Sequence, residues 1–139
     1  MKTEAIYIAK SELKKLGFKK NRQHWILLND YYYIGFNIQG SQWDLNNYYV
    51  NFLIDNVNKY KGKPLVYPTI NYRFLGGEYD NNAQVNPSII EAIDKLNVLI
   101  ETYFKLPIDI LIKNEEFISE FGLTDIQLNK LSQSINDIE

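Results

Sequence analysis

Between Trp25 and Asp55 large apolar residues alternate with small or polar ones at a period of two. Tyr32, Ile34, Phe36 and Ile38 interleave with Tyr33, Gly35, Asn37 and Gln39. Further on, Tyr48, Val50, Phe52 and Ile54 interleave with Tyr49, Asn51, Leu53 and Asp55. Successive side chains of a strand point to opposite faces, so this alternation predicts strands with one buried and one wet face. With the apolar run 24–28 before them, three successive strands are predicted over 24–28, 31–39 and 48–55. Asn29-Asp30 separates the first two, a pair that tolerates positive φ and marks a tight hairpin.

Elsewhere the period changes to that of a helix. Ile6, Ala9, Leu13 and Leu16 form one apolar stripe over residues 3–16, and Gly17 follows as a C-terminal cap, with Phe18 packing back. Lys19-Lys20-Asn21-Arg22 reads as a polar connection. Residues 40–47 and 56–63 read as loops, and 65–75 as a fourth strand with Val66, Ile70, Tyr72 and Phe74 inward. Pro68 lacks an amide proton, which puts that strand at an edge or breaks it there. After a long loop over 76–84, Asn86-Pro87 opens a second long helix. Its stripe is Ile89, Ile93, Leu96, Ile100 and Tyr103, widened by Ile90, Leu99 and Phe104, and Pro107 ends it. Residues 108–112 fit either a fifth strand or a helical turn. Residues 115–121 read as a helix stopped by Gly122, and Thr124-Asp-Ile-Gln127 is a capping box opening a last helix through Ile126, Leu128, Leu131 and Ile135. The expected fold is a single α+β domain over residues 1–139. It has an antiparallel sheet of about four strands with helices packed mainly on one face.

Composition narrows the function. A chain of 139 residues, 45% hydrophobic and 23% charged, is globular and long enough for one core. A net charge of −2 offers no basic footprint for nucleic acid or an anionic membrane, so neither is expected as a partner. The absence of cysteine removes disulfides and thiolate chemistry. No apolar run approaches the roughly 20 residues that span a bilayer, and the first ten residues have no apolar core, so a cytoplasmic location is expected. Lys outnumbers Arg 13 to 2, and Asn, Ile and Tyr are abundant; all four favoured residues have AT-rich codons, so much of the Asn and Tyr content reads as genome composition and not as a binding surface.

Leu13-Lys-Lys-Leu-Gly-Phe-Lys-Lys20, the strand end Ile34-Gly-Phe-Asn-Ile-Gln39, Trp43 in the following loop, and Tyr49-Val-Asn-Phe52 together resemble an uncharacterised bacterial family, the domain-of-unknown-function family numbered 4304. The resemblance spans roughly residues 5–75. The family's fourth strand tends to carry His-X-Arg; Asn71-Tyr72-Arg73 keeps the Arg and lacks the His. The resemblance brings no activity. It implies a small bacterial cytoplasmic protein and is compatible with toxin-immunity or accessory roles.

The candidate site is the odd-numbered sheet face. If the even positions meet the helices, the other side gathers Tyr31, Tyr33, Asn37, Gln39, Tyr49, Asn51, Asn71 and Arg73. Tyr and Arg are enriched at binding hot spots, and Asn and Gln add adaptable hydrogen bonds. The plainer reading is a solvated face enriched by coding bias, or one covered by the last helix. Arg73 suits bidentate capture of a carboxylate, from a partner or from Glu78 or Asp80 in the adjacent loop. Trp43 is either a lid over the core or a partner anchor. His24, the one histidine, lacks a nucleophile or co-ligands and reads as structural. Glu78 and Asp80 read as solubilising, and Gly76-Gly77 lacks the Gly-Lys-Ser/Thr ending of a phosphate loop.

The resulting expectation is a non-enzymatic protein-binding domain acting through Tyr33, Asn37, Gln39, Trp43, Tyr49, Asn51 and Arg73. No catalytic, cofactor or metal residue is assigned. A small anionic-ligand binder or hydrolase, with a pocket at the 76–84 loop, is the alternative. A homodimer paired through the fourth strand's edge is the third.

Overall fold

The computed structural model describes residues 2–40, 48–74 and 85–133. Five strands, β1 (Lys19–Asn21), β2 (His24–Leu28), β3 (Tyr32–Gly40), β4 (Tyr48–Asn56) and β5 (Ile70–Phe74), form one antiparallel sheet in chain order. β3 and β4 pair along their whole length, from Tyr32↔Asn56 to Gly40↔Tyr48. β1 was predicted as a connection. Its three residues contain no apolar side chain and so carry no period, yet it pairs with β2, Lys20 facing Trp25. The residue that turns it is Arg22, the one non-glycine with positive φ among the described residues (59°). The β2–β3 hairpin forms without positive φ. Asn29 Oδ1 accepts from the Tyr31 and Tyr32 amides at 2.9 and 2.8 Å, an Asx-type turn, while Asn29 Nδ2 donates to the Phe104 carbonyl at 2.7 Å. β5 is shorter than predicted. It starts beyond Pro68, whose missing amide proton breaks the predicted strand, and lies at the sheet edge; Val66, expected to face inward, is exposed.

Helix α1 (Lys2–Lys15) ends where Gly17 takes φ 93°. The Gly17 amide donates to the Lys14 carbonyl at 3.1 Å and the Phe18 amide to that of Leu13 at 3.0 Å, a Schellman ending that returns Phe18 to the core. Helix α2 spans Val85–Thr102, starting just before the predicted cap, so Asn86 lies in its first turn. Residues 108–112 resolve as a helical turn, α3 (Ile108–Leu111). Helix α4 (Glu115–Phe121) is capped by Asn114 and stopped by Gly122 at φ 58°, and α5 (Asp125–Ser132) opens on the Thr124–Gln127 capping box. Ile135 lies outside the described residues.

All of these helices contribute to one layer. Tyr32, Ile34, Phe36 and Ile38 of β3 and Tyr48, Val50, Phe52 and Ile54 of β4 meet Ala5, Ala9 and Leu13 of α1 and Ile89 and Leu96 of α2; Leu111, Phe117 and Leu131 bring in α3, α4 and α5. The even positions of β3 and β4 are thus the helix-facing ones.

The other face is not uniformly wet. The segment 57–69, which begins as a 3-10 turn (Val57–Lys59), crosses one half of it as a strap. Beneath the strap Ile26, Tyr33 and Leu53 form a second small core with Tyr60 and Leu65 against it. Tyr33 stacks on Tyr60 at 5.3 Å and lies over Gly35, where a Cβ would stand 2.8 Å from the Tyr33 hydroxyl. Gly35 is therefore the seat of a buried ring and not a small residue turned to solvent.

Polar residues fasten the strap. Asp55, 2% exposed, accepts from the Asn56 amide on Oδ1 and from the Thr69 amide and hydroxyl on Oδ2, and pairs with Lys59 at 3.2 Å. Lys59 Nζ also donates to the Lys130 carbonyl and Asn56 Nδ2 to the Leu131 carbonyl, so α5 holds the strap's first residues.

Candidate functional site

Beyond the strap the same face continues as an open half, and register decides what it shows. Asn37, Asn51 and Arg73 stand in one row across β3, β4 and β5, and Gln39 and Tyr49 face each other in the next. Asn51 Nδ2 donates to Asn37 Oδ1 at 2.8 Å and to Gln39 Oε1 at 3.3 Å. Arg73 Nε donates to Asn51 Oδ1 at 3.1 Å and Nη2 to Gln39 Oε1 at 2.8 Å. The guanidinium carbon lies 4.6 Å from the centroid of the Tyr49 ring. Two amide oxygens and an aromatic ring thus hold an exposed guanidinium in place. A guanidinium has five N–H donors, of which the described residues occupy two. No carboxylate among those residues lies within ion-pair distance of Arg73.

Five of the seven residues predicted from the sequence are therefore in one cluster. Within it Gln39 and Arg73 are exposed, Asn37 and Tyr49 half-buried, and Asn51 buried with both ends of its amide engaged. Asn51 positions the others; it does not offer a contact surface. Tyr33, expected on the exposed face, is fully buried under the strap. Its hydroxyl lies close to the Leu65 backbone without a well-formed hydrogen bond, and burial pushes its pKa up. Tyr31 precedes β3 and packs against the helix-side core. Trp43, Glu78 and Asp80 lie outside the described residues.

His24 is half-buried in β2, and its pKa is lowered by burial and then by Lys20, which suits a neutral structural imidazole. Among the described residues no three His, Cys, Asp or Glu side chains group as metal ligands. No helix among them is long and apolar enough to cross a membrane.

Fold and site together define an α+β domain built on a five-stranded meander, with one sheet face half strapped and half open. The family model described as Domain of unknown function (DUF4304) matches residues 9–98, from within α1 through the whole sheet into α2, and the chain belongs to that family. No curated protein and no solved structure matches it significantly.

Proposed function

We propose that this chain is a binding protein rather than an enzyme, and that it docks a protein partner on the open half of the sheet face with Arg73 as the anchor. The observation that carries this is the fixed guanidinium: exposed, held by Gln39 and Asn51, stacked on Tyr49, and without a carboxylate among the described residues. A planar fork held in place loses little freedom on gripping a carboxylate bidentately, so most of the interaction shows as affinity. Tyr49 adds a rigid aromatic contact, and the amides of Asn37 and Gln39 add hydrogen bonds beside it. The partner this fits presents an Asp, a Glu or a chain-terminal carboxylate at the centre of its contact.

Capture from host lysate tests the reading, with wild type, Arg73→Lys and Gln39→Ala as baits. Wild type is expected to retain a specific protein that Arg73→Lys loses at least tenfold, because an ammonium cannot reproduce the fork. A photo-crosslinker at exposed Asn71, on the same face, is expected to trap that protein, whereas one at Val98 on α2 is not. Equal capture by all three baits, or crosslinking only from Val98, overturns the site.

A further inference from the structure

The net charge of −2 conceals a division. Residues 2–40 hold seven Lys and Arg against three Asp and Glu, whereas residues 85–133 hold four against eight. Five of the first group, Lys10, Lys14, Lys19, Lys20 and Arg22, meet at one corner, while Lys15 pairs with Glu12. Cavities of about 380, 400, 250 and 350 Å³ ring the β1–β2 turn, and the charged residues lining them are Lys10, Lys14, Lys19, Lys20, Arg22 and Lys63, every one a cation. None has a carboxylate partner among the described residues. Lys20 sits 3.6 Å from the Trp25 ring centroid, and Lys10 is near enough that its charge helps to lower the Lys20 pKa, after burial. Cations crowded without counter-charge repel one another, and that repulsion is relieved by an anion.

Lysines on a short edge strand also discourage sheet-to-sheet aggregation, which accounts for Lys19 and Lys20. It does not account for Lys10 and Lys14 on α1 or for Arg22 in the turn. Tyr7 adds a second feature. It lies three and seven residues before Lys10 and Lys14, on the same helical stripe, and is 78% exposed. An aromatic ring free to stack, beside a track of unpaired cations, is how proteins hold single-stranded nucleic acid without reading its sequence. A membrane-binding face sets its cations beside a broad apolar stripe, and here the exposed neighbours of Tyr7 at helical spacing are Thr3, Glu4, Lys10 and Ser11, none of them apolar.

We propose that the corner between the outward stripe of α1 and the β1–β2 turn binds single-stranded nucleic acid, with Lys10, Lys14, Lys19, Lys20 and Arg22 taking phosphates and Tyr7 stacking a base. The total charge gave no reason to expect this; its distribution does.

Fluorescence anisotropy with labelled 20-nucleotide oligouridine and oligothymidine tests it. Saturable binding in 50 mM salt is expected, weakened about a hundredfold in 200 mM if about five phosphates are engaged. The Lys10→Gln, Lys14→Gln, Lys20→Gln triple variant, all at exposed positions and checked by circular dichroism, should bind more than tenfold more weakly and lose about two units of salt slope. Tyr7→Ala should bind about fivefold more weakly with the slope unchanged. Lys105→Gln with Lys113→Gln, on the acidic side, should change neither. Absence of binding in 50 mM salt, or a triple variant that binds like wild type, overturns the proposal. So does equal or tighter binding to a duplex of the same length. Displacement by polyglutamate or anionic phospholipid vesicles at matched charge as readily as by unlabelled oligonucleotide also overturns it, and assigns the corner to an acidic protein or a membrane.

Discussion

Two halves of one sheet face are built from the same strands in opposite ways. Under the strap, Tyr33, Gly35, Leu53 and Ile26 make a dry cluster roofed by Tyr60 and Leu65. A few residues along the same strands, Asn37, Gln39, Tyr49 and Asn51 join Arg73 in a hydrogen-bonded network left open. The strapped half is held by what it excludes from water, with Asp55 as its polar fastening. The open half keeps its polar groups in order while leaving a cation at the surface. Which half a position belongs to is decided not by its own strand but by where residues 57–69 pass.

This contrast can be broken from the strapped side first. Asp55→Ala should be the costliest change, about 3–5 kcal/mol in denaturant unfolding. It leaves the Lys59 ammonium, 15% exposed, and the Thr69 amide without their partner. A loss below about 1 kcal/mol would mean that the strap is not fastened there. Gly35→Ala should cost about 1–3 kcal/mol, because the new methyl meets the Tyr33 hydroxyl at 2.8 Å and Leu53 Cβ at 3.3 Å. The cost should shrink in a Tyr33→Phe background, and a double-mutant cycle showing no coupling would refute the seat.

Tyr33→Phe alone should hold or raise stability by up to about 1 kcal/mol, since it removes a buried hydroxyl that lacks a well-formed bond. Burial raises the Tyr33 pKa, so the unfolded chain loses this proton first. Stability should therefore fall as pH climbs through about 10 toward the raised folded value, and Tyr33→Phe should flatten that fall. The smallest effect belongs to the open half. Gln39→Ala and Arg73→Lys should shift unfolding by less than about 0.5 kcal/mol while affecting partner capture, because both side chains are exposed. A larger loss would make the network a structural brace.

Much of the fold was readable from the chain. Alternation in β3 and β4 identified the helix-facing side, Gly17 and Gly122 marked helix ends, Pro68 marked an edge, and Thr124 with Gln127 marked a cap. These signals are local, each set by a few residues and backbone sterics. β1 escaped because Lys19–Asn21 contain nothing apolar to repeat, and it exists only through its pairing with β2. The strap escaped for a related reason: residues 57–63 have no period and 65–69 mimic the alternation of a strand, so nothing in the chain reveals that Tyr33 is roofed while Gln39 is not. In the site, a shared face put Asn37, Gln39, Tyr49, Asn51 and Arg73 together correctly. Their division into a buried hub and exposed contacts depends on three-strand register, which no single strand encodes. The basic corner was hidden by summing charge over the chain before asking where it lies.

Because every strand neighbours its sequence successor, the sheet can form by closing hairpins one after another, with little loop entropy to overcome at each step. The contacts from Asn29 to Phe104, Tyr32 to Leu106 and Asn56 to Leu131 instead span 75, 74 and 75 residues. Folding of this chain should therefore be ordered in time, with an early meander and a late docking of its C-terminal helices. Those helices supply the Lys130 and Leu131 carbonyls that hold the strap, so the covered half of the face is completed last, and a nascent chain exposes more of this face than the finished one does.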